Sequence, residues 1–169
     1  MSAAKHGYDE VVGILISRSD VDINKTIHGG FTALISSATG GHVEVVRILI
    51  SRSDVDVNKA NNDGFTALRA AAKEDHFEVV SILISRSDVD INKANNAGFT
   101  ALNAAAKEGN LEVMRILISR SDVDVNKADR YGFTALISAA KHSHLEVVSI
   151  LISSRMWIST EVTMMALQL

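Results

Sequence analysis

Cysteine and proline are both absent from this chain of 169 residues, and only 5% of the residues are aromatic. Without cysteine there is no disulfide framework. The N-terminal stretch, with Lys5, His6, Asp9 and Glu10, lacks the apolar core of a signal peptide. Together these absences point to a reducing, cytoplasmic compartment. A basic run is missing too: 17 basic residues stand against 20 acidic ones, a net charge of −3, which leaves no electrostatic footprint for nucleic acid. The longest candidate for a membrane segment, Met156 to Leu169, contains Glu161 and is too short to span a bilayer, so no membrane partner is expected. There is no glycine-rich phosphate loop, no nucleophile elbow and no carboxylate pair outside a repeated pattern. No residue is left to carry catalysis or to hold a cofactor, and the chain is expected not to be an enzyme.

What the chain does contain is repetition. Gly-Phe-Thr-Ala-Leu begins at Gly30, Gly64, Gly98 and Gly132, 34 residues apart each time. Ser-Arg-Ser-Asp-Val-Asp-(Ile/Val)-Asn-Lys keeps the same register from Ser17, Ser51, Ser85 and Ser119. A period of this length means stacked supersecondary units, each unable to bury its apolar face without a neighbour. The array is expected to occupy residues 1–153: a partial first repeat (1–29), full repeats 30–63, 64–97 and 98–131, and an incomplete last repeat (132–153). No linker interrupts it.

The second copy shows the physics of one unit. Gly30 suits a turn that needs positive φ, and Thr32 is placed to N-cap a short helix over Ala33 to Ala38, whose small residues allow close packing. After Gly40-Gly41 a second helix is expected from about Val43 to Ser51, apolar on most faces, as suits burial between neighbouring repeats. Its first turn carries a glutamate in every copy (Glu10, Glu44, Glu78, Glu112, Glu146), and four copies end near an arginine (Arg18, Arg52, Arg86, Arg120), complementing both ends of the helix dipole. Asp54-Val55-Asp56-Val57-Asn58 alternates like a short strand, and Asn61-Asn62-Asp63-Gly64 supplies turn chemistry.

On these residues the chain resembles the ankyrin repeat family. The family's pattern falls on Gly64, Thr66, Leu68, Ala71, Ala72, His76, Glu78, Val79, Val80, Leu83, Ile84, Asp90 and Asn92, and the match runs over roughly residues 2–153. The resemblance implies an all-α repeat solenoid of helix-turn-helix units joined by β-turn or hairpin fingers. Three departures stand out. Alanine (Ala33, Ala67, Ala101, Ala135) replaces the family's proline, and its histidine becomes Ile35, Arg69, Asn103 or Ile137. Ser-Asp-Val replaces Gly-Ala, which adds the residue that makes the period 34. The first two remove helix-starting and hydrogen-bonding help, so stability below that of a consensus array is expected. Tetratricopeptide repeats share the period, but they need longer helices and a Trp, Tyr and Pro pattern that is missing here.

Two clusters invite a metal. His142-Ser143-His144, with His6, His28, His42 and His76 elsewhere, lacks companion ligands, so ordinary repeat histidines are expected. The loop aspartates at 20, 22, 54, 56, 88, 90, 122 and 124 resemble a calcium ladder, yet an arginine two residues before each first aspartate is a ready partner, so a structural loop is expected.

The family resemblance implies a module that binds an unidentified protein through a concave face and finger tips. Phe31, Phe65, Phe99 and Phe133 occupy a position that the resemblance sets on the concave surface. One reading makes them an apolar docking stripe; the other packs each ring on its own finger and the next. Positions that differ between copies give the remaining candidates: Asn62, Asp63, Asn96, Arg130 and Tyr131 at finger tips, and Lys73-Glu74, Lys107-Glu108 and Lys141-His142 at first-helix ends. The alternatives are a scaffold fragment of a larger protein whose catalytic or membrane domain lies elsewhere, and a decayed, non-functional fragment. Uncapped end repeats also predict marginal stability or self-association.

Residues 154–169 match nothing else in the chain and read as the next repeat out of frame. Met156-Trp157-Ile158 requires ATG TGG AT, which one frame over gives GTG GAT, Val-Asp; Met164-Met165-Ala166 likewise forces GAT GGC, Asp-Gly, with glycine at position 166, which lies 34 after Gly132. Such a tail is expected to be disordered or loosely helical against Leu145 to Ile152.

Overall fold

The computed structural model of the chain describes residues 1–154. These residues form ten α-helices in five pairs: α1 (Ser2–Lys5) and α2 (Asp9–Ile16), α3 (Ala33–Thr39) and α4 (Val43–Ile50), α5 (Ala67–Lys73) and α6 (Phe77–Ile84), α7 (Ala101–Glu108) and α8 (Leu111–Ile118), α9 (Ala135–Lys141) and α10 (Leu145–Ser153). The first helices of the pairs pack on one another in chain order, and the second helices form a parallel row behind them. The chain is therefore an all-α, two-layer stack in which each repeat is one slice. The expectation for the tail from residue 155 onward lies outside the described residues.

The first helices of the last four pairs start at a threonine cap. Thr32 Oγ1 accepts from Ile35 N at 3.1 Å, and Thr66, Thr100 and Thr134 do the same for Arg69, Asn103 and Ile137. Each threonine thus satisfies a first-turn amide that has no partner within the helix. Hydrogen bonding at the family's histidine position is lost only in part. Asn103 is buried, its Oδ1 accepts from Thr100 N at 3.1 Å, and its Nδ2 reaches Lys127 O at 3.3 Å. Small residues let the first helices approach: Ala38, Ala71, Ala72, Ala105, Ala106 and Ala139 are fully buried between them. Behind them Val45, Val46, Leu49, Val79, Val80, Leu83, Val113, Met114 and Leu117 fill the space between layers.

The alternating segment behaves as a strand in burial but not in pairing. Val55 and Val57 are buried and Asp54 and Asp56 exposed, yet no strand forms among the described residues. The reason is a side chain standing where a neighbouring strand would be. Asn24 Nδ2 donates to Asp54 O at 2.7 Å, and its Oδ1 accepts from Asp56 N at 2.8 Å. Asn58 does the same for Asp88 and Asp90, and Asn92 for Asp122 and Asp124, so an asparagine ladder with one rung at each of the first three repeat boundaries replaces a β-ladder.

The arginines act one repeat further back than their sequence position implies. Arg52 forks onto Asp54 and extends Nη1 to Ile16 O at 3.1 Å, at the C-terminal end of α2. Arg86 reaches Ile50 O at 2.8 Å and Arg120 reaches Ile84 O at 2.7 Å. Each therefore satisfies a terminal carbonyl of the preceding repeat's helix rather than of its own.

The fingers are turns. Gly64 N donates to Asn61 O at 2.9 Å and Asn61 N to Phe65 O at 3.0 Å, while Asn61 Oδ1 collects the amides of Asp63 and Phe65. Adjacent fingers are tied through backbone bonds from Asn62 N to Gly29 O, Asn96 N to Asp63 O and Arg130 N to Ala97 O, at 3.0 to 3.1 Å.

Candidate interaction surface

Each repeat puts its phenylalanine immediately before the N-capping threonine, where finger meets first helix. Phe31, Phe65, Phe99 and Phe133 are all half-buried. They do not stack on one another: the ring pairs among the described residues are His6 with Tyr8 and His142 with His144. Their surroundings differ. Phe31 packs against the core and lines, with Lys5, Ile27, Ser36, Thr39 and Gly40, a groove of about 310 Å³. Phe65 lies beneath Arg69, whose guanidinium carbon is 3.8 Å from the ring centroid, and Phe133 beneath Lys141, whose Nζ is 4.7 Å away. Both distances fall in the range of cation–π attraction.

The first-helix ends are exposed. Lys73 and Glu74 pair at 2.7 Å. Lys107 and Glu108 project at the equivalent place one repeat on, and the Lys107 carbonyl accepts from His144 Nε2 at 2.9 Å. Lys141 turns to Phe133, while His142 engages Ser138 O through Nδ1 at 2.9 Å and stacks on His144 at 6.1 Å.

At the finger tips Tyr131 is the most exposed aromatic, at 79%, with Arg130 beside it and Asn62 and Asp63 open two repeats earlier. Asn96 is exposed too but committed, since its Nδ2 donates to Asn62 O at 2.8 Å. Lys141 thus meets the phenylalanine row at Phe133, and the ends of α1 and α3 meet it at Phe31 through the groove that Lys5, Thr39 and Gly40 share with Phe31 and Ile27. Arg69, treated in the sequence only as a departure from the family pattern, belongs with them. Its signal was a lone cation on the first turn of a helix, four residues after the phenylalanine that precedes the cap.

The metal-like clusters have other employment. Nε2 of His42, His76 and His144 lies 2.9 to 3.1 Å from the carbonyls of Lys5, Thr39 and Lys107, which end the first helices one repeat back. Asp20, Asp54, Asp88 and Asp122 each receive a two-pronged arginine, whose bonds hold their carboxyls below the usual aspartate range. Asp22, Asp56, Asp90 and Asp124 accept the backbone amides of Asn24, Asn58, Asn92 and Asn126. Among the described residues no group of three or more His, Asp or Glu is placed to hold a metal ion, and no helix is long and apolar enough to cross a membrane.

Comparison with known proteins agrees with the stack. A search of curated proteins gives no match. The family model described as ankyrin repeats (3 copies) matches residues 1–95 and again residues 86–162, most of the chain. The 34-residue period, the threonine-capped helix pairs and this match together show that the chain belongs to the ankyrin repeat family.

Proposed function

We propose that the chain is a protein-binding module, without enzymatic activity of its own, whose partner lies along the first-helix row. The contact residues are Phe31, Phe65, Phe99 and Phe133, flanked by Lys73, Glu74, Lys107, Glu108, Lys141 and His142 on the helices and by Asn62, Asp63, Asn96, Arg130 and Tyr131 at the tips. One observation carries the reading: the phenylalanine row is half-exposed and capped by cations at Phe65 and Phe133, whereas the valines and leucines between repeats, such as Val45, Leu49, Val79 and Leu83, are sealed. Aromatic and arginine side chains in partly enclosed positions are the usual anchors of protein interfaces.

The test replaces Phe65 and Phe99 together by alanine and compares capture of partners from a host lysate with thermal unfolding. Loss of captured species with little change in melting temperature supports a docking stripe. A large fall in melting temperature with either single change assigns the rings to packing instead.

A second reading, self-association, rests on the N-terminal face. Val11 and Leu15 are 46% and 44% exposed, whereas their equivalents Val45 and Leu49 are each 1% exposed beneath a neighbouring repeat. Light scattering across a concentration series, repeated with Leu15→Lys, tests it; mass that stays monomeric in both removes it.

A further inference from the structure

We propose that Arg69 and Phe65 form the anchor of this surface and that the group they bind is a carboxylate, carried by a glutamate or aspartate side chain of the protein partner. The inference rests on the first-helix row being the binding face and names the chemistry recognised there.

Arg69 is the only cation at its place in the repeat; the equivalent residues are Ile35, Asn103 and Ile137. Its guanidinium lies 3.8 Å from the Phe65 ring centroid. Stacking uses the faces of the group and leaves its in-plane N–H donors free. None of them is taken: among the described residues no hydrogen bond or ion pair forms on the Arg69 side chain, and Nε is closed off from solvent without a partner. Nε is the only guanidinium nitrogen so enclosed, which leaves the Nη1 and Nη2 edge as the one a ligand can reach. Burial draws the guanidinium below its usual pKa, and the field of Glu108 acts against that shift without forming an ion pair. Arg69 is therefore a partly desolvated cation, fixed by a ring, offering two parallel donors. That fork matches the two oxygens of a carboxylate.

Charge favours a carboxylate over a phosphate. Lys73 is already paired with Glu74 at 2.7 Å, and Glu108 adds a negative field beside the fork. One unpaired positive charge is balanced by a monoanion, whereas a phosphate brings nearly two negative charges. A protein carboxylate suits the setting because Phe31 and Phe99 continue the row on either side and offer apolar contact to the residues next to the acid.

The test uses the full chain and two probes, acetyl-tetraglutamate amide and its tetraglutamine counterpart, followed through the arginine side-chain NH signals by NMR. The expected result is that the Arg69 signal moves with the glutamate peptide and not with the glutamine peptide, and that R69Q weakens binding at least about tenfold. Equal response to both peptides, or undiminished binding by R69Q, overturns the proposal. Tighter engagement of Arg69 by inorganic phosphate than by the glutamate peptide overturns the choice of carboxylate. Should R69Q fail to fold, R69K keeps the test, because it retains the charge but not the fork; undiminished binding by R69K then counts against the proposal. In lysate capture, a partner lost with the Phe65 and Phe99 double variant but kept by R69Q removes the carboxylate anchor and leaves the surface standing. A partner kept by both removes the surface as well.

Discussion

Asn110 stands where the second, third and fifth repeats have His42, His76 and His144, and the residue opposite it in register is Asp75, whereas each of those histidines faces a glycine. The remaining boundaries pair Gly7 with His42, Gly41 with His76, and Gly109 with His144, and in each a Cβ on the glycine would come within 2.6 Å of the imidazole Nδ1. Asp75 has that Cβ, at a φ of 59°. The shorter asparagine still reaches the preceding helix end, donating through Nδ2 to Ala72 O at 2.8 Å and Lys73 O at 3.0 Å. The two exceptions therefore compensate for each other.

This coupling is measurable. Asn110→His alone should overpack the boundary and cost about 1–3 kcal/mol. Asp75→Gly should cost little, because it relieves a positive φ. With both changes the boundary becomes the common glycine–histidine pair, and most of the loss should be recovered. Denaturant unfolding of the four proteins gives the coupling energy, expected to exceed about 1 kcal/mol; additive behaviour would rule the compensation out.

Three glycines should respond differently to the same alanine substitution. Gly64 has a φ of 82°, and a Cβ there would lie 2.7 Å from Asn96 N in the next finger. Gly132 has the same φ but no atom of the described residues within 4 Å. Gly13 sits inside α2 with open space around it. Gly64→Ala should thus destabilise most, by roughly 2 kcal/mol or more, and Gly132→Ala by about 1. Gly13→Ala should stabilise by about 0.5–1 kcal/mol, through helix propensity alone. Thermal or denaturant midpoints in any other order would refute this account of the fingers.

The repeat was legible because its signals are local. Thr32, Thr66, Thr100 and Thr134 cap helices that begin one residue later, and the small residues that follow let the helices close up. What crosses a boundary was not legible. Arg52 meets Ile16 across 36 residues, and Asn24 meets Asp54 across 30, offsets set by the stacking geometry and not by any pattern within one repeat. The alternation at Asp54 to Asn58 reported burial correctly but could not show that an asparagine side chain takes the partner's place. At the surface, the phenylalanine row was legible from its sameness. That Arg69 lies over the Phe65 ring was not, because the path of the chain between finger and helix sets that contact.

The arginine–aspartate latches predict a pH dependence. Bonds from Arg52 and Arg86 lower the folded-state pKa values of Asp54 and Asp88. A carboxyl lowered in the folded state stabilises it above the unfolded pKa, near 3.9 for aspartate, and that contribution is lost as pH falls through the folded pKa. Stability should therefore decline on acidification below about pH 4. The difference between wild type and the Asp54→Asn, Asp88→Asn double variant should be present at pH 7 and shrink toward zero near pH 2, where both chains carry neutral side chains at these positions. Because the carboxylates are exposed, added salt should also narrow the gap at pH 7. Urea midpoints at the two pH values decide it; a difference that persists unchanged in acid would show that the aspartates act through shape rather than charge.

The asparagine ladder should matter more than the asparagines at the tips, though the residue type is the same. Asn58 spans a boundary, donating to Asp88 O at 2.6 Å and accepting from Asp90 N at 2.8 Å. Replacing it by alanine removes two hydrogen bonds of about 0.5–1.5 kcal/mol each and leaves both backbone groups without that partner, for an expected loss of about 1–3 kcal/mol. Asn62 is exposed and its side chain makes no hydrogen bond, so Asn62→Ala should change stability by less than about 0.5 kcal/mol. Asn58→Asp discriminates further, for it keeps the acceptor, loses the donor and sets a second charge near Asp88 and Asp90, so it should be at least as damaging as alanine. In a stack held by nearest-neighbour interfaces, weakening one boundary also separates the halves on either side. Asn58→Ala should therefore lower the denaturant midpoint and broaden the transition, while hydrogen exchange accelerates in α3 and α4 before α7 and α8. A uniform rise in exchange along the whole chain would mean that the array unfolds as one unit and that the ladder adds stability without dividing it.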